Sequence, residues 1–179
     1  HWSDADEQRR AKKYTSATKT VMEKAAMALA AAHDVRLSIL LPTGMYGPVI
    51  LPEHMQGNPQ VWLKQLIEGG EGRHQQIPND SSSMIHLHDL AALFLAAYEK
   101  PKASGRYFGV YESWHWQEIY GELQKLLPVM QMPAPMDGTP VTPTGFDTTR
   151  RDSLGVPVRD IPTLLKDTVD WLKTDPFKA

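Results

Sequence analysis

Residues 15–33 carry apolar groups at Val21, Met22, Ala25, Ala26, Leu29 and Ala30, and the strand-like run Arg36–Leu41 follows almost at once and stops at Pro42. The first spacing is that of a helix with one apolar stripe, and its alanines let the helix lie close to a neighbour. The second segment has the length and composition of a buried strand, which proline ends because it brings no N–H to a ladder. A helix that feeds directly into a buried strand points to an α/β arrangement, and the remaining sequence repeats the alternation. A helix over 59–68 stops at Gly69-Gly70, a strand covers 83–88, and a helix over 90–100 stops at Pro101. A strand over 105–111, a helix over 116–127 stopped by Pro128 and a last helix over 161–173 complete the pattern. Residues 1–13, 42–48 and 71–83 read as loops and 147–156 as irregular. Residues 128–145, with Pro128, Pro133, Pro135, Pro140 and Pro143, read as an extended arm. No internal repeat interrupts this order, so one α/β unit is expected.

The chain has 179 residues, enough for one domain with a real core, and its net charge of -2 gives no reason to expect a nucleic-acid partner. The absence of cysteine removes disulfides, a thiolate nucleophile and cysteine-ligated zinc, and fits a cytoplasmic protein. No apolar run approaches the ~20 residues that span a bilayer, so no membrane partner is expected, and no signal peptide is visible.

Six segments, in order, resemble the extended short-chain dehydrogenases/reductases (the NAD-dependent epimerase/dehydratase superfamily), within the group that contains dihydroflavonol reductases. Trp2-Ser3-Asp4 resembles the segment ahead of the family's catalytic helix, and Thr18–Ala26 resembles that helix. Leu41–Pro48 (Leu-Pro-Thr-Gly-Met-Tyr-Gly-Pro) resembles the strand end and loop beside the nicotinamide, and Ile85–Ala91 resembles a small strand with its following helix. Gly105–Phe108 resembles the late sheet strand, and Leu154-Gly155 with the helix around Trp171-Leu172 resembles the C-terminal end.

The resemblance implies the C-terminal portion of a doubly wound Rossmann-type fold plus the small substrate-binding lobe. It implies reduction of a ketone or aldehyde by hydride transfer from NADP or NAD. In that chemistry a tyrosine hydroxyl handles the proton, and a lysine one turn later holds the ribose hydroxyls and lowers the tyrosine pKa. Lys19 matches the lysine. Pro42, Thr43 and Met45 would pass the nicotinamide carboxamide, and Tyr46 with residues 49–58, among them His54 and Met55, would line the substrate side. The residue four before Lys19 is Thr15, however, and Tyr14 is five before it. At about 100° per residue, Tyr14 falls roughly 140° around the helix from Lys19. Either Tyr14 reaches the site through a late helix start or a π-bulge, or the acid is lost and the chain is a catalytically inactive relative that serves as a binding or scaffolding subunit.

The glycine-rich G-x-x-G-x-x-G phosphate loop does not occur in the sequence. The expectation is a single C-terminal fragment over residues 1–179 whose N-terminal dinucleotide-binding half is absent. Its partners would be a small-molecule carbonyl substrate and either that half or a dimer mate covering an exposed sheet edge.

Other signals have plainer readings. His86 and His88 on a strand would share one face, as two metal ligands could, but the further Asp-His of a binuclear hydrolase pattern is missing, since Leu90 and Ala91 follow Asp89, and a structural pair is expected. Trp114-His115-Trp116 reads as packing at the start of a helix capped by a residue such as Ser113. Arg150-Arg151 reads as a solvated pair or, less plainly, an anion clamp.

Overall fold

The computed structural model describes residues 2–55 and 59–177. Helix α1 (Ala5–Arg10) leads into α2 (Tyr14–Ala32), then β1 (Ser38–Pro42), β2 (Gly44–Tyr46), a 3-10 turn (Pro52–Met55) and α3 (Val61–Ile67). The chain continues through β3 (Ser81–His86), α4 (Leu87–Glu99), β4 (Gly105–Gly109), β5 (Glu112–His115), α5 (Trp116–Leu126), α6 (Thr149–Asp152) and α7 (Ile161–Lys173).

Two small sheets organise these elements. β1 and β4 pair in parallel, from Ser38 opposite Gly105 to Pro42 opposite Gly109. β3 pairs in parallel with β2 and antiparallel with β5. The Gly105 N–H donates to the Leu37 carbonyl at 2.7 Å and the Thr43 N–H to the Gly109 carbonyl at 3.2 Å. Odd-numbered residues of β1 therefore bond to β4, and Ser38, Leu40 and Pro42 direct their main-chain groups to the other edge. That register is why proline is tolerated as the last strand residue: the N–H it lacks would not have reached β4. Among the described residues no strand pairs with that second edge of β1.

One core lies under α3, α5 and α7, where Trp62, Leu63, Ile119, Leu123, Leu164 and Val169 are buried together. A second lies between β1, β4 and α4, around Leu40, Ile85, Leu93, Ala97 and Tyr107. Each fully buried Leu or Ile contributes about 1.5–3 kcal/mol relative to exposure.

Several local readings need correction. Residues 5–10 form a helix because the Asp4 carboxylate accepts from the Asp6 and Glu7 N–H groups, both at 2.8 Å. Residues 44–46 are a strand, since only one residue separates them from Pro42 and the chain crosses from one sheet to the other there. Residues 112–115 add a second missed strand, and Thr149–Asp152 a short helix. The cap of α5 is His115, whose Nδ1 accepts from the Gln117 N–H at 3.1 Å while Glu118 accepts from the His115 N–H at 3.0 Å. Ser113 instead bonds hydroxyl to hydroxyl with Ser83 at 2.7 Å across β3 and β5.

His86 and His88 do not share a strand face. His86 ends β3 and caps α4, accepting from the His88 N–H at 3.1 Å, and His88 lies exposed in the first helical turn. Arg150 is exposed, as expected, but Arg151 is buried, and both bond to main-chain carbonyls. Arg150 donates to the Ser104 and Arg106 carbonyls, and the buried Arg151 donates to the Val110 and Tyr111 carbonyls, fastening α6 to the end of β4. The proline-rich segment is an arm, anchored where the Ile77 N–H donates to the Ala134 carbonyl at 2.9 Å.

Truncating the first core should show how much of the stability it carries. Leu164→Ala should lower unfolding free energy by about 2–5 kcal/mol in urea titrations, whereas Val129→Ala, at a position 99% exposed, should stay within about 0.5 kcal/mol.

Candidate functional site

The site is built on the C-terminal ends of β1 and β4 and on the helix that crosses them. Gly109 is required there. A Cβ on it would stand 2.8 Å from Leu90 Cδ1 and 3.1 Å from Pro42 Cα, so only glycine lets the strand ends and α4 approach this closely.

Helix α2 is tied to this sheet and to α1. Glu23 pairs with Arg106 on β4 at 2.5 Å, and Thr20 donates to the Gln8 side chain on α1 at 2.9 Å. The Trp2 ring meets the Arg106 guanidinium, 4.1 Å from its centroid, and the Lys24 ammonium at 5.5 Å. Lys19 lies one turn before Glu23 on the same helix face, about 6 Å nearer the helix N-terminus. Lys19 is exposed and makes no hydrogen bond or ion pair among the described residues.

The first turn of α2 separates the other two candidates. Thr15 shares the Lys19 face. Tyr14 is the first helical residue, 63% exposed, and lines a surface groove with Arg9, Ala17, Thr18, Val21 and Met22. The helix is α-helical from Tyr14 onward, so neither a late start nor a π-bulge brings Tyr14 round to Lys19.

The remaining predicted residues fall into two groups. Pro42 is exposed at the end of β1, Thr43 bonds back to Gly109, and Met45 is half-buried against the second core. His54 is exposed in the 3-10 turn, and Met55 packs against the first core. Residues 56–58 lie outside the described residues. Tyr46 is 1% exposed in the first core, where burial raises the phenol pKa, so its side chain packs the lobe. The alternation along β2 accounts for this, since Met45 and Tyr46 point to opposite faces of the strand. Glu23 and Arg106 were missed, because an ion pair across 83 residues leaves no local signal.

Behind the loop that follows β2, His86 is buried at 1% exposure. Its Nδ1 accepts from the His88 N–H and faces Arg159 Nη1 at 3.1 Å, which leaves the proton on Nε2. Nε2 faces Asp167 at 4.0 Å, and Arg159 pairs in turn with Asp89 and Asp167. Burial, followed by the Arg159 charge, lowers the His86 pKa. Tyr120, bonded to His74 Nδ1 at 2.9 Å, has its phenol pushed up to about 12, chiefly by burial, so it is no acid at neutral pH. Among the described residues no group of three His, Cys, Asp or Glu could hold a metal ion, and no helix is long and apolar enough to cross a membrane.

No protein-family model matches the chain. Cinnamoyl-CoA reductase CAD2 of Medicago truncatula is 27% identical over 178 residues, 98% of this chain and 53% of that protein. Dihydroflavonol 4-reductase of Zea mays is 34% identical over 109 residues, 59% of this chain and 29% of that protein. Among solved structures, vestitone reductase from alfalfa superposes with a TM-score of 0.75 at 20% identity, over 99% of this chain and 58% of that one. Yeast methylglyoxal/isovaleraldehyde reductase Gre2, complexed with NADPH, superposes with a TM-score of 0.68 at 19% identity, over 89% of this chain and 55% of that one. In the full-length matches the chain spans about half the length of its curated relatives.

The buried histidine makes stability depend on pH. The folded state binds the His86 proton less readily than the unfolded chain, so its contribution is complete above the ordinary value of 6.5 and is lost as pH falls below it. His74, also lowered by burial, acts with the same sign. Urea midpoints should drop between pH 7.5 and pH 5, and His86→Asn should flatten that slope. An unchanged slope would show that His86 does not titrate in this window.

Proposed function

Because the chain is a relative of the extended short-chain dehydrogenases/reductases, of the dihydroflavonol-reductase and cinnamoyl-CoA-reductase kind, we propose that it is the C-terminal part of an NAD(P)-dependent reductase of ketones or aldehydes. The observation that supports this reading is Lys19 itself, an exposed ammonium with no hydrogen bond or ion pair among the described residues, one helical turn before the Glu23 that pairs with Arg106 on β4.

The residues present suit one end of the cofactor. Lys19 can donate to ribose hydroxyls. The side-chain-free Gly109 beside Pro42 and Thr43 leaves main-chain groups at the strand ends, where open α/β sheets bind their ligands, and Met45 follows on the same segment. When bound, the nicotinamide supplies the hydride. The sequence has no glycine-rich phosphate loop, so the pyrophosphate belongs to a dinucleotide-binding half. That half is proposed to add a parallel strand to the free edge of β1 and to cover the exposed Val21, Met22 and Leu29 on α2. The substrate carbonyl would enter from the side of His54 and Met55.

The proton donor divides two readings. In the first, Tyr14 donates after the first turn of α2 rewinds. The cap residue Lys13 makes no side-chain hydrogen bond to that turn, so little holds it. In the second, the chain belongs to a non-catalytic binding or scaffolding relative, which is favoured by Thr15 standing on the Lys19 face while Tyr14 stands off it.

Carbonyl-dependent NADPH oxidation by variants of the protein separates the readings. For a reductase using Tyr14, Tyr14→Phe should lower kcat by about 100-fold or more, Lys19→Met should weaken cofactor binding, and Thr15→Val should change little. Equal behaviour of all three variants and the parent would overturn the reductase reading. These 179 residues by themselves should bind NADPH only in the millimolar range, about 4 kcal/mol or less, by fluorescence titration. Micromolar binding would show that the pyrophosphate has a site within them.

A further inference from the structure

Gly47 is gripped from two sides. Its N–H donates to the side-chain carbonyl of Gln60 at 2.9 Å, and that side chain, 0% exposed, also donates from Nε2 toward the Met55 sulfur at 3.5 Å. On the other side, a Cβ on Gly47 would stand 2.8 Å from His86 Nε2, and the residue has a φ of +117°. Only glycine takes this conformation without strain and leaves room for the ring. The Gln60 backbone is engaged as well, accepting at its carbonyl from Leu63 N–H at 3.0 Å in the first turn of α3. A fully buried amide is costly unless its groups are bonded, so its placement across 13 residues from Gly47 is a specific feature of the fold.

We propose that Gln60 is a positioning residue that sets the substrate-side loop against the cofactor-side strand end, a role that rests on the reductase reading above. Gly47 is where the chain leaves β2, five residues after Pro42, and Met55 closes the 3-10 turn beyond it. By holding Gly47 and Met55 with one side chain, Gln60 fixes both ends of residues 47–55. The middle of that loop presents Ile50, 86% exposed, and Leu51, 44% exposed. A loop held at its ends with two apolar side chains outward suits a carbonyl substrate with an apolar body. Gln60 touches neither cofactor nor reacting atoms, so its effect should appear in substrate binding.

Gln60→Leu removes both bonds. Amide exchange at Gly47 should accelerate about tenfold or more, and the Met55 methyl resonance should move. In turnover assays with an apolar carbonyl substrate, KM should rise about tenfold while kcat stays within about twofold. Gln60→Glu keeps an acceptor for Gly47 and should restore its protection. Met55→Leu conserves volume and serves if Gln60→Leu does not fold; it should raise KM with Gly47 exchange unchanged. Unchanged Gly47 exchange in a folded Gln60→Leu protein would overturn the lock, and faster exchange with unchanged KM would overturn the positioning role. A parent protein without turnover, but with the Gly47 and Met55 signals responding, would remove the reductase reading and leave the lock standing.

Discussion

The parallel ladder between Ser38–Pro42 and Gly105–Gly109 is the constraint on which the rest of this structure depends. It puts two strand C-termini side by side, and the glycine at its end brings them and α4 into contact. Arg106 projects from it to hold α2 through Glu23, while Arg150 donates to its Arg106 carbonyl and Arg151 to the Val110 and Tyr111 carbonyls just beyond it. Leu40 and Tyr107 turn from it into the core beneath α4. A two-stranded parallel ladder is nevertheless unusual by itself, because parallel sheets are normally covered on both faces and extended at both edges. The chain spans about half the length of cinnamoyl-CoA reductase CAD2 of Medicago truncatula, and the proposed dinucleotide-binding half would extend this ladder at the free edge of β1.

The regular elements of the fold were legible where periodicity was long. Val21, Ala25 and Leu29 mark α2, and Leu164, Thr168 and Leu172 mark α7, because a helix repeats its signal several times. The short elements were not. Gly44–Tyr46 has two glycines, Gly44 and Gly47, and two prolines, Pro42 and Pro48, in and around it, which read as turn chemistry, and only its parallel partner β3 makes it a strand. The α1 cap was visible in principle, since Asp4 with Glu7 three residues on is a capping pattern, but the basic residues around it suggested a solvated loop. His115 displaced Ser113 as a cap because an imidazole Nδ1 can accept an N–H from two residues ahead, as it also does at His86.

The site was legible as a set of neighbours along the chain and much less so as a geometry. Lys19, Pro42 and Thr43 follow from motif order, and the ladder keeps Pro42 and Thr43 together beside Gly109. The burial of Tyr46 was not legible, because strand alternation, invisible in a segment read as loop, sends its ring into the core. The contacts that position the site, Glu23 with Arg106 and Gln60 with Gly47, join residues too far apart for any spacing rule to reveal. The uncertainty at Tyr14 and Thr15 is of another kind. The sequence states the one-residue offset, and the continuous α-helix keeps it.

Hydrogen exchange along β1 tests the central claim most directly, because alternate amides of one strand report on its two edges. With this ladder and an edge that awaits a further strand, Ile39 and Leu41 should be protected in these 179 residues and Leu40 should exchange quickly. Leu40 should join the protected set when a dinucleotide-binding half is present. Equal protection of Leu40 and Leu41 without that half would contradict the account, since the edge assigned to another strand would already be covered.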